Sequence, residues 1–501
     1  MQPTDQASSY SLFSILVVVA DYLIRIGLSL RVIMRKRPYG VSLAWLIVIL
    51  LIPFIGAFCY LLFGENRIPE RRITRTRAAF DIYQRWLANL RERASAQWPG
   101  TSDQAQAIHR QAMQLIGLPA MKGNRLELLT NPQETLEAIR DSIKHATSTC
   151  HLQFYIWQEG GMVNEINTAL IQAAARGVTC RLLLDSIGSR QFLKSETARR
   201  MRSGGIFIEE ALPAGFIRLL FARIDIRYHR KLVLIDGTTA YTGSQNMVDP
   251  SCFRQEAGVG RWIDVMVRIT GPALEVLGGS FISDWYLEAN LTDYQKKEML
   301  GDITAIRELG DVNPVAPRGT TAVQLVPSGP MFIPEAIHSL LLTTIYTSRS
   351  ELVMTTPYFI PDEPILVALQ AAAQRGVDVR IIVPARNDST LVYFASRARY
   401  AELCRAGVRI FLFSSGLLHS KTVTVDGQIA LFGSVNLDMR SFWLNFEMSL
   451  FIYCQDFTRT LRQTQQSYLD QSAELDFDAF QQRRFIEKFK ENTCLLISPL
   501  L

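Results

Sequence analysis

One short pattern constrains this chain more than any other, because it occurs twice. His229-Arg-Lys231-Leu-Val-Leu-Ile-Asp236 and His419-Ser-Lys421-Thr-Val-Thr-Val-Asp426 both read His, any residue, Lys, four residues, Asp. Each runs on to Gly-Ser-x-Asn, as Gly243-Ser244-Gln245-Asn246 and Gly433-Ser434-Val435-Asn436. A strand period of two sets His and Lys on one face, with apolar residues filling the strand behind them. An imidazole beside an ammonium suits an anionic tetrahedral group. The imidazole can attack phosphorus or move a proton, while the ammonium holds the oxygens. His229, Lys231, Asp236, His419, Lys421 and Asp426 are therefore the candidate catalytic set. Within it each Asp falls on the opposite strand face and is expected to anchor a turn. The chain has six His, and two of them share this spacing and tail, which argues against ordinary solvated strands.

The flanking sequence repeats as well. Leu152-Gln-Phe-Tyr-Ile156 predicts a strand, Asn164 to Arg176 a helix, and Gly177-Val178-Thr-Cys-Arg181-Leu-Leu-Leu184 the next strand. In the second half Leu352 to Phe359, Pro364 to Arg375 and Gly376-Val377-Asp-Val-Arg380-Ile-Ile-Val383 follow the same order. Strands alternating with helices predict α/β halves with parallel or mixed sheets flanked by helices. Duplication then has a functional reason: two facing half-sites can bring two His and two Lys to one phosphate.

The N-terminus has a different character. Val41 to Phe63 is 23 residues without a charge, long enough to cross a bilayer, with Pro53 and Gly56 as tolerated kinks. The earlier run, about 11–34, contains Asp21, Arg25 and Arg31. Asp21 and Arg25 are four apart and can pair on one helical face, and Arg31 can snorkel to the interface. Both runs are expected to span. Arg67, Arg71, Arg72, Arg75 and Arg77 after the second run outnumber Arg35, Lys36 and Arg37 between the two. That bias predicts a cytoplasmic catalytic portion and a connector on the other side. Apolar content of 48% fits partial residence in lipid. The net charge of +6 is too mild for a dedicated nucleic-acid groove and suits an anionic membrane surface. Seven scattered Cys without a C-x-x-C support neither a disulfide framework nor a zinc site.

The expected layout is a membrane anchor over 1–66, a polar helical linker over 67–120, two α/β halves over 121–300 and 301–475, and an amphipathic interfacial tail over 476–501. Phe216-Ile-Arg218-Leu-Leu-Phe221 reads as an apolar lip that could admit acyl chains or as a buried packing segment.

With its doubled His-Lys-Asp motif, the chain resembles the phospholipase D superfamily and, within it, the bacterial cardiolipin synthases. Tyr60-Leu-Leu-Phe-Gly64-Glu, Asn436-Leu-Asp-Met-Arg440-Ser441 and Ser498-Pro-Leu-Leu501 extend the resemblance along nearly the whole length. The resemblance implies duplicated phospholipase D-like domains with one active site at a pseudo-two-fold interface, in a bacterial inner-membrane protein. It implies transfer of a phosphatidyl group from one phosphatidylglycerol to another through a covalent phosphohistidine, giving cardiolipin and glycerol without a metal or other cofactor. It places the nucleophile in the N-terminal motif, hence His229, with His419 as general acid and base. Ser244, Asn246, Ser434 and Asn436 are expected at phosphate oxygens, turn chemistry being the other reading. In related enzymes a carboxylate behind each imidazole holds it. By spacing that would be Glu447 behind His419 and Glu256, one residue off, behind His229. A lipid phosphodiesterase that admits water, another phosphatidyltransferase and a membrane-tethered nuclease are the rival activities.

Overall fold

The two copies of the sequence repeat become two halves of one sheet. A computed structural model describes residues 4–35, 39–65, 67, 70–94, 102–213, 223, 225–292, 303–331 and 335–496. It divides into two units, Met1–Glu70 with Ala214–Asp225, and Arg71–Pro213 with Ile226–Leu501.

In the larger unit the first half contributes β1 (Met121–Leu129), β2 (Thr149–Phe154), β3 (Thr179–Asp185), β4 (Phe207–Ala211), β5 (Leu232–Ile235), β6 (Thr239–Gly243), β7 (Trp262–Ile263) and β8 (Met266–Thr270). The second contributes β9 (Thr321–Ser328), β10 (Glu351–Thr355), β11 (Phe359–Ile360), β12 (Asp378–Pro384), β13 (Arg409–Phe413), β14 (Leu417–Leu418), β15 (Thr422–Val425), β16 (Ile429–Gly433), β17 (Leu437–Asp438), β18 (Glu447–Tyr453) and β19 (Ser472–Glu474). Fifteen of these form a mixed sheet in the order β19-β13-β12-β10-β15-β16-β18-β9-β1-β8-β6-β5-β2-β3-β4. Apart from the terminal β19, the order reads the same outward from the antiparallel β9–β1 junction in both directions, which is the pseudo-two-fold axis. Where β2 meets β3 and β10 meets β12 the pairing is parallel, and the neighbouring β5 and β15 run antiparallel.

Local sequence explains the crossovers. The helix Met162–Ala175 joins β2 to β3, and Glu363–Gln374 follows β10 before β12. Each ends on the repeated Arg-Gly-Val. Gly177 and Gly376 adopt φ of +93° and +90°, where a side chain is disfavoured. The next residue turns back to donate to the helix, Val178 to the Ala173 carbonyl and Val377 to that of Ala372. This is a C-terminal cap that releases the chain into a strand. Leu182–Leu184 and Ile381–Val383 are buried, as strands covered by helices require.

The segment expected to be a linker instead packs into this unit. Helices α4 (Glu70–Ala94) and α5 (Asp103–Leu115) flank the sheet. From α4, Trp86, Leu87 and Leu90 join the core beneath β5 and β6. Arg72 lies over the Phe446 ring at 4.2 Å and pairs with Glu288. At the C-terminus the helix Phe485–Leu496 docks through the buried Glu491, bonded to Arg397 and Arg483, and leaves Phe485, Ile486 and Phe489 exposed. Phe216 to Phe221 lie outside the described residues.

In the smaller unit α1 (Thr4–Met34) includes Phe13–Met34, 22 residues of mean hydropathy 1.9 and long enough to cross a membrane. The second apolar run differs from expectation. It forms α2 (Tyr39–Leu51) and α3 (Ile55–Phe63), neither of which is long enough to cross. Pro53 offers no N–H and its ring clashes with the carbonyl four residues back, and the helix is interrupted there, between Leu51 and Ile55. Phe54 then takes a φ of +51°, which reverses the chain instead of kinking it.

Candidate active site

Each motif enters the site stitched to the opposite half. The His229 amide donates to the Phe446 carbonyl at 2.8 Å, and the His419 amide donates to the Ile263 carbonyl at 2.8 Å. Around these bonds Tyr228 bridges to Phe446, and β14 pairs in parallel with β7. The residue after each stitch is a carboxylate, and it faces the imidazole just anchored. His229 Nδ1 lies 2.8 Å from Glu447 Oε2, and His419 Nδ1 lies 2.7 Å from Asp264 Oδ1. The carboxylates are therefore exchanged between halves, and both histidines belong to one site.

This arrangement corrects the spacing argument in two places. Glu447 is behind His229, not His419. Glu256 is behind neither: it is exposed in a 3-10 turn and borders a cavity of about 750 Å³ with Arg190, Lys194 and Arg254. The connector from Ser244 to Asp264 is longer than the one from Ser434 to Glu447. Counting along the chain therefore stops inside an inserted loop. Register identifies the true counterpart, since Gly243 pairs with Met266 and Gly433 with Ser449. Asp264 and Glu447 each precede these partners by two. Asp264 was missed, and the available signal was Ile263-Asp264 beside Phe446-Glu447, an apolar residue and a carboxylate some way after each Gly-Ser-x-Asn.

The serines also differ from expectation. Ser244 Oγ donates to Asp264 at 2.6 Å and Ser434 Oγ donates to Glu447 at 2.6 Å. Each accepts in turn from the amide of Val265 or Met448. Their hydrogen-bonding capacity is spent on the carboxylates rather than on a phosphate. Asn246 Oδ1 accepts from the Ile156 amide. Asn436 is buried with its side-chain oxygen unpartnered. Asp236 and Asp426 stand away from the imidazoles. With φ near +50°, each starts the turn after its motif strand. Their carboxylates collect the amides of Thr147, Ser148 and Thr149, or of Arg349, Ser350 and Glu351. They fix the entry of β2 and β10 beside the motif strands, as turn anchors do.

Burial sets the electrostatics. All four His and Lys side chains are under one-tenth exposed. Burial pushes His229 down to about 4 and His419 down to about 3, partly offset by Glu447 and Asp264. It lowers Lys231 well below the usual range and Lys421 to about 8. Burial alone would raise Asp264, but His419, Lys421 and Ser244 hold it at about 2. Lys421 acts on His229, Lys231 acts on His419, and the two ammonium groups repel each other. Two buried cations that repel are favoured by an anion between them. Tyr155 packs edge-on to His229 at 5.1 Å, and Trp262 lies 4.4 Å from His419, holding both rings in place.

Fold and site together define a duplicated arrangement of two His–carboxylate pairs with two buried Lys. A sequence family described as cardiolipin synthase, PLD-like domain, matches residues 139–264 and 341–468, and a phospholipase D-nuclease N-terminal family matches 24–65. The chain is 43% identical to cardiolipin synthase A of Yersinia pseudotuberculosis over 98% of its length and 99% of the relative's. It is equally similar to that of Yersinia pestis. The crystal structure of phosphatidylserine synthase from Haemophilus influenzae shares the fold, with a TM-score of 0.58 at 16% identity, covering 79% of this chain and all of that one. The chain belongs to the cardiolipin synthase family of phospholipase D-like proteins.

Proposed function

We propose that this chain makes cardiolipin by transferring a phosphatidyl group between two molecules of phosphatidylglycerol. The observation that carries the reaction is the exchanged pair of His–carboxylate bonds, which gives one phosphate two imidazoles and two ammonium groups. Family membership supplies the lipid. His229 Nε2 attacks phosphorus and the bond to the glycerol oxygen breaks, the departing oxygen taking a proton from His419 Nε2. The terminal hydroxyl of a second phosphatidylglycerol then gives its proton to His419 while its oxygen attacks phosphorus. The P–N bond breaks, cardiolipin leaves and His229 is restored. Both imidazoles are held alike at Nδ1, so the order His229 first, His419 second follows the family resemblance. Ionised Asp264 and the incoming phosphodiester favour the imidazolium that His419 must present, against the burial that opposes it. Lys231 and Lys421 stabilise charge on the phosphoryl oxygens.

The catalytic unit lies in the cytoplasm of a bacterial cell, at the inner membrane. The excess of Arg and Lys following the apolar N-terminus supports that side, as do seven free cysteines. The exposed Phe485, Ile486 and Phe489 suit contact with the interface.

Purified protein incubated with labelled phosphatidylglycerol tests the reading. Cardiolipin and free glycerol are expected in equal amounts, whereas phosphatidic acid as the main product would make the protein a hydrolase. A pH dependence follows from Lys421. With its pKa lowered to about 8, the ammonium is lost as pH rises, which should add to any fall set by His419 and steepen the decline of kcat/KM above about pH 8. A bound anion raises that pKa, so the fall in kcat should come at higher pH. Identical limbs for the two parameters would count against the phosphate contact.

A further inference from the structure

We propose that α2 and α3 form a re-entrant hairpin that enters one leaflet of the bilayer and returns to the same side, so that α1 alone crosses. The rings of Trp45 and Tyr60 meet at 5.4 Å. A Cβ added to Gly56 would meet the Val48 carbonyl oxygen at 2.1 Å and Ile49 Cα at 3.2 Å. In one continuous helix residues 45 and 60 would be roughly 22 Å apart, and 48 and 56 roughly 12 Å. Contacts that close inward from 45 with 60 to 48 with 56 are those of two antiparallel helices. Gly56 is what lets their backbones touch.

The tip of the hairpin is served by charges that a spanning helix would otherwise have no reason to carry. The turn at Pro53 frees backbone groups that hydrocarbon cannot solvate, so they must be satisfied from within the protein. Asp21 Oδ1 accepts from the Phe54 amide at 3.3 Å, and Arg25 Nη1 donates to the Leu50 carbonyl at 2.6 Å. Asp21 and Arg25 also pair with each other, so the two charges and the open turn neutralise one another. The distance along α1 from Asp21 to Arg31 is roughly 15 Å, about half the ~30 Å hydrocarbon core. At Arg31 lies the mouth. Arg31 grips Glu65 with bonds of 2.6 and 2.8 Å, Arg35 pairs with it, and the Tyr60 hydroxyl donates to it at 3.0 Å. The end of α1, the start of the connector and the exit of α3 thus share one end of the bundle.

This arrangement changes the charge count that sets orientation. Arg35, Lys36 and Arg37 no longer oppose Arg67, Arg71, Arg72, Arg75 and Arg77. All eight lie on one side, against no Lys or Arg in the first ten residues. The positive-inside rule then puts that side in the cytoplasm and the N-terminal residues outside. The side rests on the cytoplasmic catalytic unit proposed above, while the hairpin itself does not.

Single cysteines at three positions of the full chain test it, reacted with a membrane-impermeant thiol reagent in intact and permeabilised cells and located by mass spectrometry. Ser8→Cys reports the N-terminal side, Gly40→Cys the first turn of α2 next to the connector, where an added side chain meets nothing within 4 Å, and Ser203→Cys the exposed surface of the catalytic unit. Labelling of Ser8→Cys in intact cells is expected, with Gly40→Cys and Ser203→Cys labelled only after permeabilisation. Gly40→Cys and Ser203→Cys on opposite sides would mean that the second run spans, and would overturn the hairpin. Ser8→Cys and Gly40→Cys on one side would overturn the single crossing. The full pattern reversed would uphold the hairpin and refute the cytoplasmic catalytic unit instead.

Discussion

His229→Ala and His419→Ala should each reduce turnover by roughly 10⁴-fold or more, with the protein still folded and membrane-inserted. The magnitude follows from the composite site. Each imidazole is carried by the motif strand of one half and is both anchored and oriented by the other, through a backbone carbonyl and a carboxylate, so neither half keeps a working pair of histidines after one is lost. The double variant should be little worse than either single one, because groups acting as a unit do not contribute additively. Turnover of labelled phosphatidylglycerol decides this. Activity above roughly a tenth of the unsubstituted protein in either variant would mean two independent sites.

Asp264→Asn and Glu447→Gln should be the next most damaging changes, at roughly 10²- to 10⁴-fold in kcat. Each leaves the shape nearly unchanged but removes the charge that fixes the tautomer and favours the imidazolium. Glu256→Gln, in contrast, should cost no more than about twofold, as for a surface position. The exchanged pairing makes a sharper demand. If His419 is the acid, its carboxylate matters most when the leaving group is poor. A substrate with a phenolic leaving group should then recover much of the loss in formation of the covalent intermediate for Asp264→Asn and little for Glu447→Gln. Recovery in Glu447→Gln alone would assign the acid to His229.

What the sequence made legible was whatever is carried by chemistry at fixed short spacing. The two His-x-Lys-x4-Asp strands, the Arg-Gly-Val helix ends and the parallel pairs β2–β3 and β10–β12 all follow from local pattern. Each is an interaction among residues near in sequence, and each is repeated. The exchange of carboxylates was not legible, because spacing along a chain does not say which half's strand will face a given imidazole. That information is in the junctions of Phe446 with Tyr228 and of β7 with β14, whose partners are far apart in sequence. Asp264 was hidden by the longer loop before β7, and Glu256 occupied the position that counting favoured. The serines were expected at phosphate oxygens but bond to the carboxylates, since Gly-Ser-x-Asn does not reveal that a carboxylate will claim the hydroxyl. At the N-terminus, hydropathy measures the length of an apolar run and not its path. Pro53 read as a tolerated kink becomes a reversal once Gly56 permits close packing and Asp21 and Arg25 satisfy the open turn.

The central claim, one phosphoryl-transfer site built from both halves, is tested most directly by the stoichiometry of the trapped intermediate. In a rapid acid quench with a labelled phosphatidyl donor bearing a phenolic leaving group, the unsubstituted protein should carry at most one phosphatidyl group per chain. His419→Ala should retain that label, on His229, and His229→Ala should carry none. Two labels per chain, or label on the remaining histidine in both single variants, would contradict the account.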